Sequence, residues 1–123
     1  PKGQMTIERA QGRDTFRIWI ADTPERVQQG LMWLRELPAD HGMVFPLDEP
    51  RLMTMWMKNT YVPLDMLFFD REGRIVSISH DTRPLSTEII DSGGTVSGAV
   101  EILAGEAQRR GIAVGDRIQY RTD

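Results

Sequence analysis

The chain has 123 residues, of which 40% are hydrophobic, a length close to the commonest single-domain size. Its 18 acidic and 15 basic residues are scattered and give a net charge of -3, so nothing favours nucleic acid or an anionic membrane as a partner. The absence of cysteine excludes disulfides and cysteine nucleophiles, and no apolar run approaches the roughly 20 residues of a transmembrane helix. We expect one domain over residues 1–123, with a flexible N-terminal end at 1–14 and a core at 15–121.

The first predicted elements are a strand at residues 15–22 and a helix at 24–34. The strand alternates apolar Phe16, Ile18 and Ile20 with other side chains, the period of a half-buried strand. Thr23 is a suitable N-cap residue for the helix that follows it. Gly30 lies inside the predicted helix, which indicates either a close packing contact or an early helix end.

The middle of the chain contains several short apolar segments. They lie at residues 43–47, 52–58, 65–70 and 74–79, after a predicted loop at 35–42. The sequence DREG joins the last two segments, and Gly73 can adopt the positive φ that a tight turn needs. This pattern predicts a hairpin between residues 65–70 and 74–79.

The last third of the chain begins with residues 80–97, which are rich in Gly, Ser and Thr and predict a long surface connection with an extended piece at 88–91. A strand at 98–103, a short helix at 104–110 that ends before Gly111, and a strand at 116–121 follow. The fold class is therefore α+β: a mostly antiparallel small curled sheet, as a barrel or a sandwich, with two short helices.

The register of the middle strands follows from their turns. If residues 52–58 pair with 65–70, Lys58 lies opposite Asp65 and Met57 opposite Met66. A three-residue turn at Gly73 then places Met66 opposite Ile78. This register gives one apolar face and one polar end, at which Lys58 and Asp65 meet.

Several long motifs resemble the bacterial and archaeal family DUF192, a domain of unknown function. They are ERVQQGLMWLREL, HGMVF, WMKNTYVPLDMLFFDREGRIVSI, VEILAG and GIAVGD, and the likeness covers residues 16–120. The resemblance implies a small, mostly β domain, commonly made with an export signal or lipoprotein anchor, and no established reaction. The start at Pro1 alone does not identify what was removed upstream, but together with the resemblance it leads us to expect an exported, periplasmic or envelope-associated protein whose signal was removed, with a cytoplasmic protein as the alternative.

Three alternating methionines, Met53, Met55 and Met57, allow two interpretations. Thioethers are soft ligands that suit Cu(I), so a copper site is one alternative. Methionine also fills irregular cores and packs well against phenylalanine. The predicted face that Met55 and Met57 share with Phe68 favours the core.

Lys58 and Asp65 also allow two interpretations. They form either a structural ion pair at the end of the sheet or, with Asn59, Ser79 and the ring of Trp56, a site for a small polar ligand.

Glu101 lies between Ala99 and Leu103 on one side of its strand, where burial would raise its pKa. Asp65 and Glu101 could then form the carboxyl pair of a hydrolase. A zinc site would have to join His41 and His80 to a carboxylate such as Asp40, Asp48 or Asp81.

These observations predict an exported, non-enzymatic module that binds a small polar ligand, a glycan or a protein partner. An enzymatic activity stays an alternative. The candidate ligand-binding residues are Trp56, Lys58, Asn59, Asp65, Ser79 and Glu101. The alternatives are a hydrolase that uses Asp65 and Glu101, and Cu(I) binding by the three methionines. No catalytic residue, resident metal, cofactor, nucleic-acid partner or oligomeric state is assigned.

Overall fold

The computed structural model describes residues 1–123. It contains seven strands and two short helices. They are β1 (Lys2–Arg9), β2 (Gly12–Ile20), α1 (Pro24–Gln29), β3 (His41–Met55), β4 (Leu64–Phe69), β5 (Ile75–Thr82), β6 (Ile90–Leu103), α2 (Glu106–Arg110) and β7 (Arg117–Thr122). Neither helix is long and apolar enough to cross a membrane.

All seven strands belong to one sheet in the order β5-β4-β6-β3-β2-β1-β7. The only parallel pair is β2 with β3. The sheet is not closed, but an isolated bridge between Arg74 and Arg117 joins its two edges, and the Ile118 N–H donates to the Gly73 carbonyl at 2.7 Å. The sheet therefore curls, and the predicted α+β, mostly antiparallel fold is confirmed.

The N-terminal residues form an internal strand. β1 pairs with β2 on one side and β7 on the other, and Met5 and Ile7 are fully buried. The expectation of a flexible end at residues 1–14 is therefore wrong. Met5 and Ile7 alternate with polar neighbours, so a short strand signal was present in the sequence.

Helix α1 is shorter than predicted. The Thr23 hydroxyl accepts the Arg26 N–H at 3.2 Å, which confirms the N-cap. The helix ends at Gly30, whose φ of 51° no longer fits a right-handed helix. A side chain at Gly30 would also meet the ring of Phe45 at 3.4 Å, so both reasons proposed for this glycine apply.

Two strands are longer than predicted. Strand β3 joins the predicted segments at 43–47 and 52–58 by continuing through residues 48–50, with a shift of register between Pro46 and Arg51 in its pairing with β6. Strand β6 begins at Ile90, and β5 extends to Thr82, so the surface connection predicted at 80–97 is reduced to residues 83–89. Gly93 and Gly94 of β6 lie at a shift of register in this ladder, between the Leu52–Thr95 and Thr54–Asp91 pairs, where a bulge accommodates them.

The β4–β5 hairpin is confirmed, and Gly73 has a φ of 84°. Phe69 pairs with Ile75, but a bulge then shifts the ladder by one residue, so Met66 pairs with Ser79 instead of Ile78, and a second shift pairs Leu64 with Thr82. The other neighbour of β4 is β6, and the segment that contains Lys58 leaves the sheet. The predicted pairing of residues 52–58 with 65–70 is therefore wrong.

The sheet separates two apolar clusters. The inner core draws on all seven strands and α2. Its residues are Met5, Ile7, Phe16, Ile18, Ile20, Val44, Leu67, Phe69, Ile75, Val100, Ile102, Ala107, Ile112 and Ile118. The outer core covers the opposite face of β3, β4 and β6, beside residues 21–37 and 53–64. Its residues are Ala21, Leu31, Leu37, Phe45, Met53, Met57, Val62, Leu64, Met66, Phe68, Val96 and Ala99.

Gly73→Ala is expected to lower the free energy of unfolding by about 2 kcal/mol or more. The added Cβ would lie 2.3 Å from the Ile118 carbonyl oxygen, where the sheet edges meet, and the φ of 84° is itself strained for alanine. Urea unfolding measures this loss. Gly93→Ala is the matched control, because Gly93 has a φ of 74° and no atom within 4 Å of its added Cβ. Equal losses in both variants would show that contact between the edges is unimportant.

Candidate functional site

An open cleft with a volume of about 930 Å³ lies between α1 and β3. Its apolar wall includes Leu31, Phe45, Met53 and Met55, and the ring of Trp56 also borders it. Two buried polar side chains reach it, Thr60 and Glu101. We call this cavity the cleft; it lies outside the sheet, next to the outer core.

Glu101 lies in β6, where it pairs with Met43 of β3 and Met66 of β4. The residue is 4% exposed and makes no hydrogen bond or ion pair with the protein, and burial raises its pKa to about 8. Every fully enclosed side-chain polar atom of the protein has a hydrogen-bond partner. The carboxyl oxygens of Glu101 have none, so they are not fully enclosed and reach the open space of the cleft. The predicted rise in the pKa of Glu101 is confirmed, and the carboxyl group is protonated at neutral pH.

Trp56, Lys58 and Asn59 lie at the rim of the cleft. Trp56 is 41% exposed and lines both the cleft and a shallower groove of about 430 Å³. Lys58, Asn59 and Trp33 line this groove too. The Lys58 Nζ lies 5.1 Å from the centre of the Trp56 ring, a cation–π contact that leaves the ammonium group exposed to solvent.

Two residues that line the groove, Trp33 and Asn59, have left-handed backbone, with φ values of 72° and 57°. Leu85, with a φ of 66°, lines neither cavity but contacts the backbone of the cleft residue Thr60. The Trp33 N–H donates to the Asn59 carbonyl at 2.9 Å, and the Leu85 N–H donates to the Thr60 carbonyl at 3.0 Å. Asparagine tolerates this conformation, whereas Trp and Leu are strained by it, and such strain concentrates at functional sites.

Asp65 lies on the other side of the sheet and is fully buried. Its Oδ1 accepts the Asp81 N–H at 2.9 Å, and its Oδ2 accepts the N–H groups of Gly105 and Ala107 at 3.1 Å each. Gly105 is the N-cap of α2 and has no capping side chain, so Asp65 caps this helix from a neighbouring strand. The predicted Lys58–Asp65 contact is wrong in both of its forms, as an ion pair and as a ligand site.

The geometry also excludes a paired action of Asp65 and Glu101. Asp65 pairs with Ile102, whereas Met66 pairs with Glu101. Because successive side chains of a strand point to opposite faces, the two carboxyl groups lie on opposite sides of the sheet. The hydrolase-type pair is therefore wrong.

Ser79 does not belong to the site. It lies in β5, pairs with Met66 of β4, and lines neither the cleft nor the groove. Of the six predicted ligand-binding residues, Trp56, Lys58, Asn59 and Glu101 remain close to the cleft.

The methionines divide between core and cleft. Met57 is fully buried, with its Sδ 3.2 Å from the Thr82 hydroxyl oxygen, and it does not line the cleft. Met53 is also buried and Met55 is half-buried, but both line the cleft, as does Met32. The core interpretation is confirmed for Met53 and Met57, and the three alternating thioethers do not share one site.

The histidines lie apart from the cleft. The His41 Nδ1 lies 2.8 Å from Asp40, and the His80 Nδ1 lies 4.0 Å from Asp65. The chain brings together no group of three His, Asp or Glu side chains that could hold a metal ion.

Four residues of the site were not predicted from the sequence: Phe45, Leu31 and Thr60 of the cleft, and Trp33 of the rim. Apolar lining residues look like core residues in a pattern of alternation, so Phe45 gave no separate signal. The sequence GLMW did contain a signal for Trp33, because a Trp placed three residues after a helix-ending glycine lies outside α1 and its apolar face.

Comparisons with known proteins give the following matches. The sequence model of the family DUF192, described as Uncharacterized ACR, matches residues 6–120. A crystal structure of a candidate transcription regulator from Sinorhizobium meliloti 1021 is similar at 40% identity and a TM-score of 0.95, over 98% of this chain and 94% of that one. A protein of unknown function from Novosphingobium aromaticivorans DSM 12444 is similar at 33% identity and a TM-score of 0.91, over 94% and 83%. No curated protein matches significantly.

Proposed function

The chain belongs to the uncharacterised DUF192 family, and from its own geometry we propose that it is a binding module that takes a small molecule into the cleft. One observation carries this proposal: the buried, unpartnered carboxyl group of Glu101 reaches a cleft of about 930 Å³. The volume lies in the range of about 300 to 1,000 Å³ that is typical of small-molecule sites.

Energetics support a functional role for Glu101. Burial of a polar group without a hydrogen bond costs about 1 to 3 kcal/mol, and a leucine or methionine would avoid this cost. The other buried acids have partners: Asp65 binds three backbone N–H groups, and Glu106 binds Arg109 and Arg110. Glu101 is therefore an exception of the kind that occurs at binding and catalytic sites.

The residues of the cleft offer a ligand different kinds of contact. Leu31, Phe45 and Met53 offer apolar contact area, and Glu101 offers a carboxyl group at depth. Trp56 offers an aromatic face at the rim. The mixture of an apolar wall and few polar groups is typical of specific ligand sites.

Trp56→Ala is expected to weaken binding at least tenfold without unfolding the protein, because Trp56 is an exposed rim residue outside both cores. A fragment library is first screened by thermal shift, and each hit is titrated against both proteins by calorimetry. Tyr120→Ala is the matched control, since Tyr120 is a comparably exposed aromatic residue that does not line the cleft. Hits that bind the Trp56 variant and the parent equally, or a screen without hits, would contradict the proposal.

The description of the Sinorhizobium relative as a transcription regulator fits this chain poorly. DNA-binding regulators usually place a helix in the major groove and neutralise phosphates with a basic surface. This chain has a net charge of -3 and helices of six and five residues. We therefore favour a small ligand over DNA as the partner.

Export to the periplasm or envelope stays a prediction from the family resemblance. Fractionation of cells that express the complete gene product tests it.

A further inference from the structure

The cleft is lined by more acidic than basic side chains. Asp48 and Glu49 lie exposed at its mouth, Glu101 lies at depth, and Arg51 is the only basic residue of the lining. Asp22 also lines the cleft, but it accepts a hydrogen bond from Arg26 at 2.6 Å, which lowers its pKa. The lining therefore favours a positive charge over a negative one.

No basic side chain of the protein neutralises Glu101. The Lys58 ammonium lies over the Trp56 ring, and Arg51 is exposed and forms no ion pair with Glu101. An ionised Glu101 would thus be a buried anion without a counterion, which is strongly unfavourable. A cationic ligand would supply the missing counterion.

The walls around Glu101 suit an organic cation. Phe45 and Trp56 present aromatic rings, and Met53 and Met55 present polarisable thioethers. Aromatic faces attract ammonium groups, and methionines adapt to irregular apolar shapes. A strongly hydrated inorganic cation gains little from such walls, whereas an alkyl or arylalkyl ammonium ion gains from both the charge and the walls.

This inference rests on the proposed ligand site. We propose that the ligand is an organic primary ammonium ion whose nitrogen donates hydrogen bonds to the Glu101 carboxylate, and whose apolar body packs against Phe45, Met53 and Met55.

Binding of this kind is coupled to loss of the Glu101 proton. Burial raises the pKa of Glu101 to about 8, so the carboxyl group must release its proton before it can pair with an ammonium ion. The adjacent positions in the ladder, Met43 of β3 and Met66 of β4, carry no titratable group.

The charged groups across the cleft are exposed at its mouth. They are Asp22, Asp48, Glu49 and Arg51. None of them is hydrogen-bonded to Glu101, so the released proton is assigned to Glu101 itself.

The test uses matched pairs of probes on the whole chain: n-butylamine, n-hexylamine and 3-phenylpropylamine, each against the alcohol of the same carbon skeleton. At neutral pH each amine is an ammonium ion and is expected to bind at least tenfold more tightly than its alcohol. Calorimetry in phosphate and in Tris, whose ionisation enthalpies differ, is expected to show about one proton released per ammonium ion bound. Affinity is expected to rise by up to about 50-fold from pH 6 to pH 8, as Glu101 ionises.

Glu101→Gln is the decisive variant, because it keeps the shape of the side chain and removes its charge. It is expected to abolish the preference for the amine, the proton release and the pH dependence, while the alcohols still bind. If the alcohols bind as well as the amines to the parent protein, the ammonium inference fails and the ligand site stands. If no amine and no alcohol raises the melting temperature, and the fragment screen has no hits, both proposals fail.

Discussion

Replacement of Asp65 by alanine is expected to lower the free energy of unfolding by about 3 to 5 kcal/mol. The carboxylate is fully buried and accepts backbone N–H groups from Asp81, Gly105 and Ala107. Each buried N–H group left without an acceptor costs about 1 to 3 kcal/mol, and the Ala107 N–H belongs to a fully buried residue of the inner core. The loss therefore combines three orphaned donors with an uncapped helix.

Urea unfolding of three variants distinguishes this cap from an ion pair. Lys58→Met is expected to change stability by no more than about 0.5 kcal/mol, because Lys58 is exposed and contacts only the Trp56 ring. Asp65→Asn is expected to give an intermediate loss, since an amide keeps one acceptor oxygen but turns an NH₂ group toward backbone donors. A large loss in Lys58→Met, comparable to that in Asp65→Ala, would contradict the cap.

Hydrogen exchange gives a local measure of the same effect. In Asp65→Asn the Ala107 amide is expected to lose protection before the amides of β1 and β2, which β6 and β3 separate from β4 in the sheet. Uniform loss of protection across the chain would show that Asp65 supports the whole fold rather than α2 in particular.

Local signals in the sequence predicted local structure well. The alternation in β2, the Thr23 cap, the Gly73 turn and the end of α2 at Gly111 all depend on neighbouring residues, and each was found where predicted. The order of the strands depends on contacts between distant parts of the chain. All six residues of β4 are buried on one face or the other, so the apolar pattern of this strand could not show which strands lie next to it.

The same distinction explains the candidate site. Side-chain types next to Glu101, namely Ala99 and Leu103, were enough to predict its apolar surroundings. The partners of Asp65 are backbone N–H groups, which every residue type except proline provides, so no pattern of side chains could identify them. The cleft itself arises where α1 ends early at Gly30 and leaves β3 partly uncovered.

The stability of the protein is expected to fall by about 3 kcal/mol between pH 5 and pH 8 because of Glu101. Burial raises the pKa of this carboxyl group from 4.5 to about 8 in the folded state. In the unfolded chain the group ionises near its ordinary pKa. Between these two values the folded state holds one more proton than the unfolded state, so each rise in pH favours unfolding.

The limits of this pH window follow from the same two values. Below about pH 4.5 both states are protonated at Glu101, and above about pH 8 both are ionised, so the contribution of this group levels off at each end. Asp22, Asp40 and Glu106 have pKa values lowered by hydrogen bonds to Arg26, His41 and Arg109 respectively, so their contributions are lost only at more acidic pH. The slope between pH 5 and pH 8 is therefore assigned to Glu101.

Urea unfolding of the parent and of Glu101→Gln at four pH values across this window makes the comparison. The glutamine variant cannot ionise at this position, so it is expected to match the parent within about 1 kcal/mol at pH 5 and to exceed its stability at pH 8. Because both proteins keep the same histidines and the same surface charge elsewhere, the difference between their curves isolates the carboxyl group. Parallel curves for the two proteins would show that Glu101 titrates normally, and that its burial does not hold the proton on which the coupling to an ammonium ligand depends.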